Sequence, residues 1–413
     1  MSHVVFVSPF YYGMSPRFVA AIANVPGVRL SLVRQGGLDA LGPALRQRIQ
    51  ADYRVDNAFD PDQLCRAVSW LSEKLGPVDR LIGTFEQLQV PLGDVRDRLG
   101  IVGMGGASAR NFRDKDRMKE VLAAAGLPVA KHRRLESVAD GLAFAKTTGY
   151  PLIVKPLAGA GAVATLRANN EAELRSYLAQ MRPSPTNPLQ CEEFVVGIER
   201  SFEVVSIDGV PVFHSLTRYD PPPLQVLENP WIQWTVLLPR EVEHPAYDET
   251  RRVGFAAIKA LGMDTGISHM EWFRRRDGSI VIGEIAARPP GAQILSLMSL
   301  AHDTDFLARW AQLVARGTFA MPPRKYAVGV AFFRGQGPGA GGRGGRIAAI
   351  HGVEAAQSKI GHLVVEAKLP QVGQFSSSSY EGEGFAIVRH QDTAVVEDAL
   401  RTLVRTVRIE LKA

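Results

Sequence analysis

Residues 269–286 read HMEWFRRRDGSIVIGEIA, and the fold follows from how this stretch pairs with itself. Asp277-Gly278 at its centre is a strong two-residue turn signal of the primed type, with strand-forming residues on both sides. Glu271 and Glu284 stand at equal distances from that turn, so a tight hairpin sets them directly opposite each other. Opposed side chains lie ~5 Å apart at Cβ, and two like charges there destabilise a sheet unless something compensates. A divalent cation is the obvious compensation. Hard ions such as Mg²⁺ take oxygen ligands, keep several waters, and bind through one or two carboxylates together with substrate phosphates. The stretch therefore outlines a nucleotide site, the alternative being an ordinary hairpin whose acids are merely solvated.

The period-two rule assigns His269, Phe273, Ile282 and Ala286 to the face of the two acids, and Met270, Trp272 and Ile285 to the other. Arg288 continues the parity of the acidic face before Pro289-Pro290-Gly291 breaks the pattern. A guanidinium beside a metal pair is suited to gripping phosphate or carboxylate in a fork.

With 413 residues the chain exceeds one typical domain and suggests two or three. Its hydrophobic share of 46% and charged share of 22% are those of a globular protein. The net charge is +6, but the basic residues are scattered, with no stripe interleaved with aromatics, so small anionic ligands are expected and nucleic acid is not. Cys65 and Cys191 are far apart and lack metal-like spacing, which speaks against a disulfide framework or a zinc site. No segment offers about 18 uninterrupted apolar residues, and the start of the chain lacks a basic region followed by an apolar core, so a cytoplasmic protein without a membrane partner is expected.

The chain opens with a β-α-β alternation: a strand from His3, a helix from Phe18 and a strand over Val28–Arg34. The residues after the first strand lack a dinucleotide fingerprint. A further strand at Arg80–Thr84 carries Glu86 just beyond its end, where open α/β sheets place ligands, and Glu86 reads either as structural or as substrate-side. From Arg113 a capped helix begins, with Lys115 near its start reading either as a phosphate or adenine contact or as a solvated surface lysine. Pro151–Pro156 is a strand that delivers Lys155 into the glycine-rich LAGAGAVAT, residues 157–165. There Gly159 and Gly161 remove side chains, which suits either a phosphate cradle of backbone N–H groups or a flexible turn. The strand QCEEFVV carries Glu192 and Glu193, and Glu199 follows in the next run. Residues 220–240, with three consecutive prolines and two tryptophans, are expected to form a loop over a site.

The order of these signals carries more than any one of them: helix lysine, strand lysine with glycine loop, E-E-F-V with a following acid, opposed acids, then E-x-x-x-R. That set resembles the ATP-grasp superfamily over roughly residues 110–315. The resemblance implies an N-terminal parallel α/β domain over 1–110, an ATP-grasp domain over 111–318 with a lid subdomain at about 150–195, and a C-terminal α+β domain over 319–413. It also implies that Lys115 and Lys155 contact the nucleotide, that the loop holding Gly159 and Gly161 closes over the phosphates, that Glu192, Glu193 and Val195 bind adenine, and that Glu199 binds ribose. Phe273 and Ile282 are expected as an apolar floor for adenine, and Glu271 and Glu284 as ligands of Mg²⁺ or Mn²⁺. One departure stands out: many members carry an asparagine two residues after the second glutamate, where this chain has Ala286. In the hairpin register Ala286 lies opposite His269, and a neutral imidazole is a poor Mg²⁺ ligand. This favours water at that position, with His269 either contacting substrate or sitting as a core histidine.

The chemistry implied is transfer of the ATP γ-phosphoryl group to a substrate carboxylate, followed by attack of an amine on the acyl phosphate. Arg288 and Lys155 are expected to stabilise the developing charge, with Arg288, His269 and Gly291 toward the substrate. The domain arrangement looks most like carboxylate-amine ligases acting on amino acids, with a homodimer as the default assembly. A carboxylase-type enzyme with another acceptor and a non-catalytic nucleotide-binding protein are the alternatives.

Overall fold

The computed structural model describes residues 2–11, 13–158, 165–342 and 344–412. The N-terminal unit runs β1 (Ser2–Ser8), α1 (Ser15–Ala23), β2 (Val28–Arg34), α2 (Pro43–Arg46), β3 (Ile49–Arg54), α3 (Pro61–Leu75), β4 (Arg80–Ile82), α4 (Gln89–Leu99) and α5 (Gly106–Arg113). Its four strands are parallel in the order β3-β2-β1-β4. The central strand β1 is buried on both faces, which explains why it reads as a continuous apolar run rather than an alternation. The chain winds outward from β1 to β3 and then returns to its other side at β4, so the strand order reverses between β1 and β4. In open α/β sheets, ligands gather outside the carboxyl ends of strands at such a reversal.

Next come α6 (Lys115–Ala124), β5 (His132–Leu135), α7 (Val138–Thr148), β6 (Leu152–Pro156), β7 (Leu166–Ala168), α8 (Glu171–Met181) and β8 (Leu189–Glu193). The four strands form a small antiparallel sheet, β5-β8-β6-β7, with its own core of Leu135, Phe144, Leu152, Val154, Leu174 and Leu178.

The remaining elements are β9 (Ile198–Ile207), β10 (Val210–Asp220), α9 (Pro223–Glu228), β11 (Trp234–Leu238), α10 (Asp248–Leu261), β12 (Gly266–Arg274), β13 (Ile280–Ala286), α11 (Ile294–His302), α12 (Phe306–Arg316), β14 (Ala327–Phe333), β15 (Gly335–Gln336), β16 (Arg346–His351), α13 (Val353–Ile360), β17 (Val364–Lys368), β18 (Gly384–His390), α14 (Thr393–Thr406) and β19 (Arg408–Lys412). One eight-stranded antiparallel sheet, β13-β12-β9-β10-β11-β14-β18-β17, runs from the acidic hairpin into the C-terminal third. The stretch 220–240 is thus more than a loop. It supplies a short helix and the buried strand β11, whose Trp234 stacks on Phe332 with ring centroids 4.7 Å apart, while Trp231 is exposed. A single core joins Phe6 and Phe18 of the N-terminal unit to Trp310 and Leu313 of α12 and Phe332 of β14, with Phe18 edge-on to Trp310 at 4.7 Å. Among the described residues no helix is long and apolar enough to cross a membrane.

Candidate nucleotide and substrate site

The hairpin β12–β13 does set Glu271 opposite Glu284 and His269 opposite Ala286, but two irregularities cancel to give that register. The turn is one residue longer than Asp277-Gly278 alone: Arg275 N–H donates to the Ser279 carbonyl at 2.8 Å, Gly278 N–H to the Arg275 carbonyl at 3.0 Å, and Gly278 takes φ +87°. Near the turn, Phe273 therefore pairs with Val281 and Trp272 with Ile282. A bulge at Gly283 then inserts one extra residue on β13 and restores the offset before Glu284. A Cβ at Gly283 would come within 3.0 Å of the Phe273 ring and 3.1 Å of the Glu271 carbonyl oxygen, so a side chain at the bulge would make its neighbours give way. This corrects one expectation. Ile282 is fully buried in the core beside Trp272 and Met270, on the face away from the acids, and is no floor for adenine, whereas Phe273 does face the cavity.

A cavity of about 830 Å³ lies where the three units meet, within the size range of small-molecule sites. The N-terminal unit lines it with Gly13–Ser15 after β1 and Thr84–Gln87 after β4, the two carboxyl ends that flank the strand-order reversal. The small sheet and the linker after β8 contribute Lys155, Glu192, Glu193 and Val195; the large sheet contributes Glu199, His269, Glu271, Phe273 and Glu284; Arg288 and Gly291 follow β13. Gly159 and Gly161, expected to cradle phosphates, lie outside the described residues.

Helix α6 begins on a cap in which the Asp114 side chain accepts from the N–H groups of Asp116 and Arg117. Its first turn presents Lys115, and one turn later the same face presents Lys119. Lys115 Nζ stands 2.7 Å from Glu284 Oε1. Lys119 Nζ stands 2.8 Å from Glu192 Oε2, while Lys155 grips the other oxygen of the same carboxylate. Burial alone would raise the Glu192 carboxyl, but the two lysines outweigh it and hold it at about 2. Burial pulls the Lys119 ammonium below its ordinary value. Burial also opposes the charge on Lys155, yet Glu192 and Glu284 outweigh that and raise it. The side chain of Glu192 thus fixes two lysines, and Glu193 ties the linker to the hairpin turn by accepting from Arg275 at 3.0 Å.

On the sheet, β9 pairs with β12 so that Glu199 neighbours Phe273, Ser201 neighbours Glu271 and Glu203 neighbours His269. His269 is a buried residue that also touches the cavity: its Nδ1 lies 2.9 Å from Glu203 and its Nε2 3.8 Å from Glu271. Burial disfavours a charged imidazole, but Glu203 and Glu271 outweigh it and hold His269 protonated up to about 9. Glu203, fully buried, also accepts from Ser201 at 2.6 Å and Thr217 at 3.0 Å. Burial, reinforced by Glu271, pushes the Glu199 carboxyl up to about 8 against the pull of Lys155 and His269. Arg288 donates through Nε to Glu86 at 2.9 Å, and Arg113 reaches the other oxygen of Glu86 at 2.8 Å. Gly291 lies beside Tyr380, whose hydroxyl would sit 2.9 Å from any Cβ placed there.

Lys119, Glu203, Gly283 and Tyr380 were not legible as site residues. Only Lys119 left a signal, its four-residue spacing from Lys115. Among the described residues there is no cluster of three or more metal-ligating side chains. The two opposed carboxylates nevertheless fit a hard divalent cation, since both are reachable from the cavity and such ions complete their shells with water and phosphate oxygens.

The family described as carbamoyl-phosphate synthase L chain, ATP binding domain, matches residues 114–203, the span that holds Lys115, Lys155 and Glu192. Over that span the chain is similar to an ATP-binding domain of the ATP-grasp type. It is 29% identical over 228 residues to an L-arginine-specific L-amino acid ligase of Bacillus subtilis, a match covering 54% of each chain, so it spans about half the length of that curated relative. The fold is shared along its whole length with an L-amino acid ligase from Bacillus licheniformis, at a TM-score of 0.75 and 17% identity, covering 99% of this chain and 98% of the other. It is also shared with the biotin carboxylase domain of 2-oxoglutarate carboxylase from Hydrogenobacter thermophilus, solved with MgADP and bicarbonate, at a TM-score of 0.66 and 17% identity over 99% and 91% of the two chains. These ATP-grasp proteins share the mixed architecture of one parallel and several antiparallel sheets described above.

Proposed function

We propose that this protein is an ATP-dependent carboxylate-amine ligase that joins an amino acid to an amine, with amide formation coupled to release of ADP and phosphate. The observation that carries the reading is the convergence of Lys115, Lys155, the opposed Glu271 and Glu284, and Arg288 on one cavity that also opens onto the carboxyl ends of β1 and β4. Similarity to the two amino acid ligases supports the substrate class.

In this reading Glu271 and Glu284 hold Mg²⁺, which draws charge off the phosphates when bound; Mn²⁺ meets the same oxygen-ligand requirement. Lys115 and Lys155 bind phosphate oxygens, Glu193, Val195 and Phe273 border the base, and Glu199 meets the ribose. A carboxylate oxygen of the substrate attacks the γ-phosphorus and the bond to the β-phosphate oxygen breaks, giving acyl phosphate and ADP. The amine nitrogen then adds to the acyl carbon, the carbon–oxygen bond to phosphate breaks, and the departing phosphate takes up the proton. Arg288 faces the oxygens that gain charge in both steps, in a fixed position that costs no reorganisation. No nucleophilic side chain is required. The reading implies the cytoplasm as compartment and a homodimer as assembly, the latter checked by sedimentation.

The test is ADP release with Mg-ATP across amino acids offered singly and in pairs, with product masses read from each reaction. ADP formed only with a carboxylate and an amine, with a mass equal to their sum less water, is the expected result. ADP formed with bicarbonate instead would make the protein a carboxylase-type enzyme, and nucleotide binding without turnover a nucleotide sensor.

A further inference from the structure

The cavity is also lined by residues to which the nucleotide reading gives no role. Among them Tyr219, Leu224, Leu227, Trp234, Leu295 and Tyr380 build one wall. These come from the end of β10, from α9, from β11, from the start of α11 and from the serine-rich segment before β18, so three separate parts of the chain form it. The indole N–H of its tryptophan is already engaged. Trp234 Nε1 donates to the Tyr380 carbonyl at 2.9 Å, and the Tyr219 and Tyr380 hydroxyls are the polar tips that remain. Most of this wall is ring and methyl surface, with Trp234 5.7 Å from Tyr380 and 6.3 Å from Tyr219 between centroids.

Charged groups border this wall: Glu271 and Arg288 lie toward the nucleotide side, with Glu86 and Glu228 beside them. Glu86 is shared between Arg113 and Arg288, and Glu228 sits exposed on the last residue of α9. A guanidinium or carboxylate buried among the six wall residues, out of reach of Glu228, would lose its water without gaining a partner. A branched or aromatic side chain would gain burial at about 25 cal/mol per Å².

We propose, resting on the ligase reading above, that this wall bounds the side-chain pocket of the carboxylate donor, and that the donor is an amino acid with a large apolar side chain whose carboxylate lies on Arg288. The pocket selects against arginine, the residue named for the Bacillus subtilis relative.

The experiment has two arms. The first scans donors in the ADP-release assay against a common amine and orders the products by fragmentation mass spectrometry. Leucine, methionine or phenylalanine should occupy the amino-terminal position, with kcat/KM at least tenfold above arginine, aspartate or alanine, as the loss of a few methylenes in an apolar pocket requires. The second measures the shift in melting temperature given by the same amino acids in the presence of Mg²⁺ and a non-hydrolysable ATP analogue, which needs no turnover. Leu224→Asp, on a half-exposed helix, should lower kcat/KM for leucine at least tenfold, leave nucleotide affinity within threefold and narrow the gap to arginine. Arginine or aspartate matching leucine in both arms would overturn the proposal. If no pair of substrates releases ADP, the ligase reading fails on its own, and the melting shifts decide the pocket: stabilisation by apolar amino acids alone upholds it, and no discrimination overturns it.

Discussion

Arg288 and Glu86 are joined by a 2.9 Å hydrogen bond between residues 202 positions apart, one at the exit of the acidic hairpin and the other just past the last strand of the N-terminal sheet. Glu86 is 6% exposed and holds Arg113 as well, so the Arg288 guanidinium at the cavity wall is aimed by a carboxylate from another part of the chain.

Glu86→Gln keeps the shape but removes the charge that orients Arg288. Turnover should fall roughly ten- to a hundred-fold, the usual effect of losing such an outer partner, while ATP affinity stays within threefold. Steady-state kinetics paired with equilibrium nucleotide binding checks this, and equal losses in both would return Glu86 to a purely structural role.

Glu284→Gln should abolish Mg²⁺-dependent turnover while leaving the melting temperature close to wild type, because the side chain is partly exposed and its partner Lys115 can turn to phosphate. Activity near that of wild type would remove Glu284 from the metal site. Stripping the cation with a chelator should have the same effect on the parent protein and be reversed by adding Mg²⁺.

The Glu192 carboxyl offers a pH prediction. Its folded value, about 2, lies below the ordinary 4.5, so the stability it contributes is fully present above about 4.5 and is lost as pH falls toward 2. Glu192→Gln should be destabilising at neutral pH by roughly 3–5 kcal/mol, since it leaves Lys119 and Lys155 buried beside a neutral amide. That deficit should shrink through the window from 4.5 to 2. Chemical denaturation at a series of pH values reads it directly, and a deficit constant with pH would contradict the assignment.

Gly283→Val tests the bulge. A side chain there meets the Phe273 ring and the Glu271 carbonyl, so a loss of about 1–3 kcal/mol in stability is expected, together with weaker nucleotide binding as the ring is pushed into the cavity. Calorimetry and nucleotide titration measure the two effects. A variant that melts and binds like the parent would mean that β13 can pair without the bulge.

The sequence made the hairpin legible because Asp277-Gly278 and the flanking acids are local signals. Its two irregularities were not legible, since a longer turn and a glycine bulge each leave alternation intact on paper and shift it in space. They offset each other at Glu284, which is why the acids were placed correctly and Ile282 was not. The lysines at 115 and 155 could be found from position within their elements, whereas Lys119 and Glu203 are defined by partners 73 and 66 residues away and have no local mark. Strand β11 was hidden because prolines and an exposed Trp231 precede it, while its burial comes from β10 and β14 on either side. Tyr380 lies in a serine-rich run that reads as loop, and only the pairing of β18 with β14 brings it to the cavity.

The eight-stranded sheet also bears on synthesis. The strands that present Glu199, Glu271 and Glu284 are complete once residue 286 has left the ribosome, but β18, which brings the Tyr380 segment home, is made about a hundred residues later and pairs next to a strand already laid down. A nascent chain can thus assemble its acidic hairpin long before it owns a finished side-chain pocket, so the capacity to handle nucleotide precedes, in the order of translation, the capacity to choose a substrate.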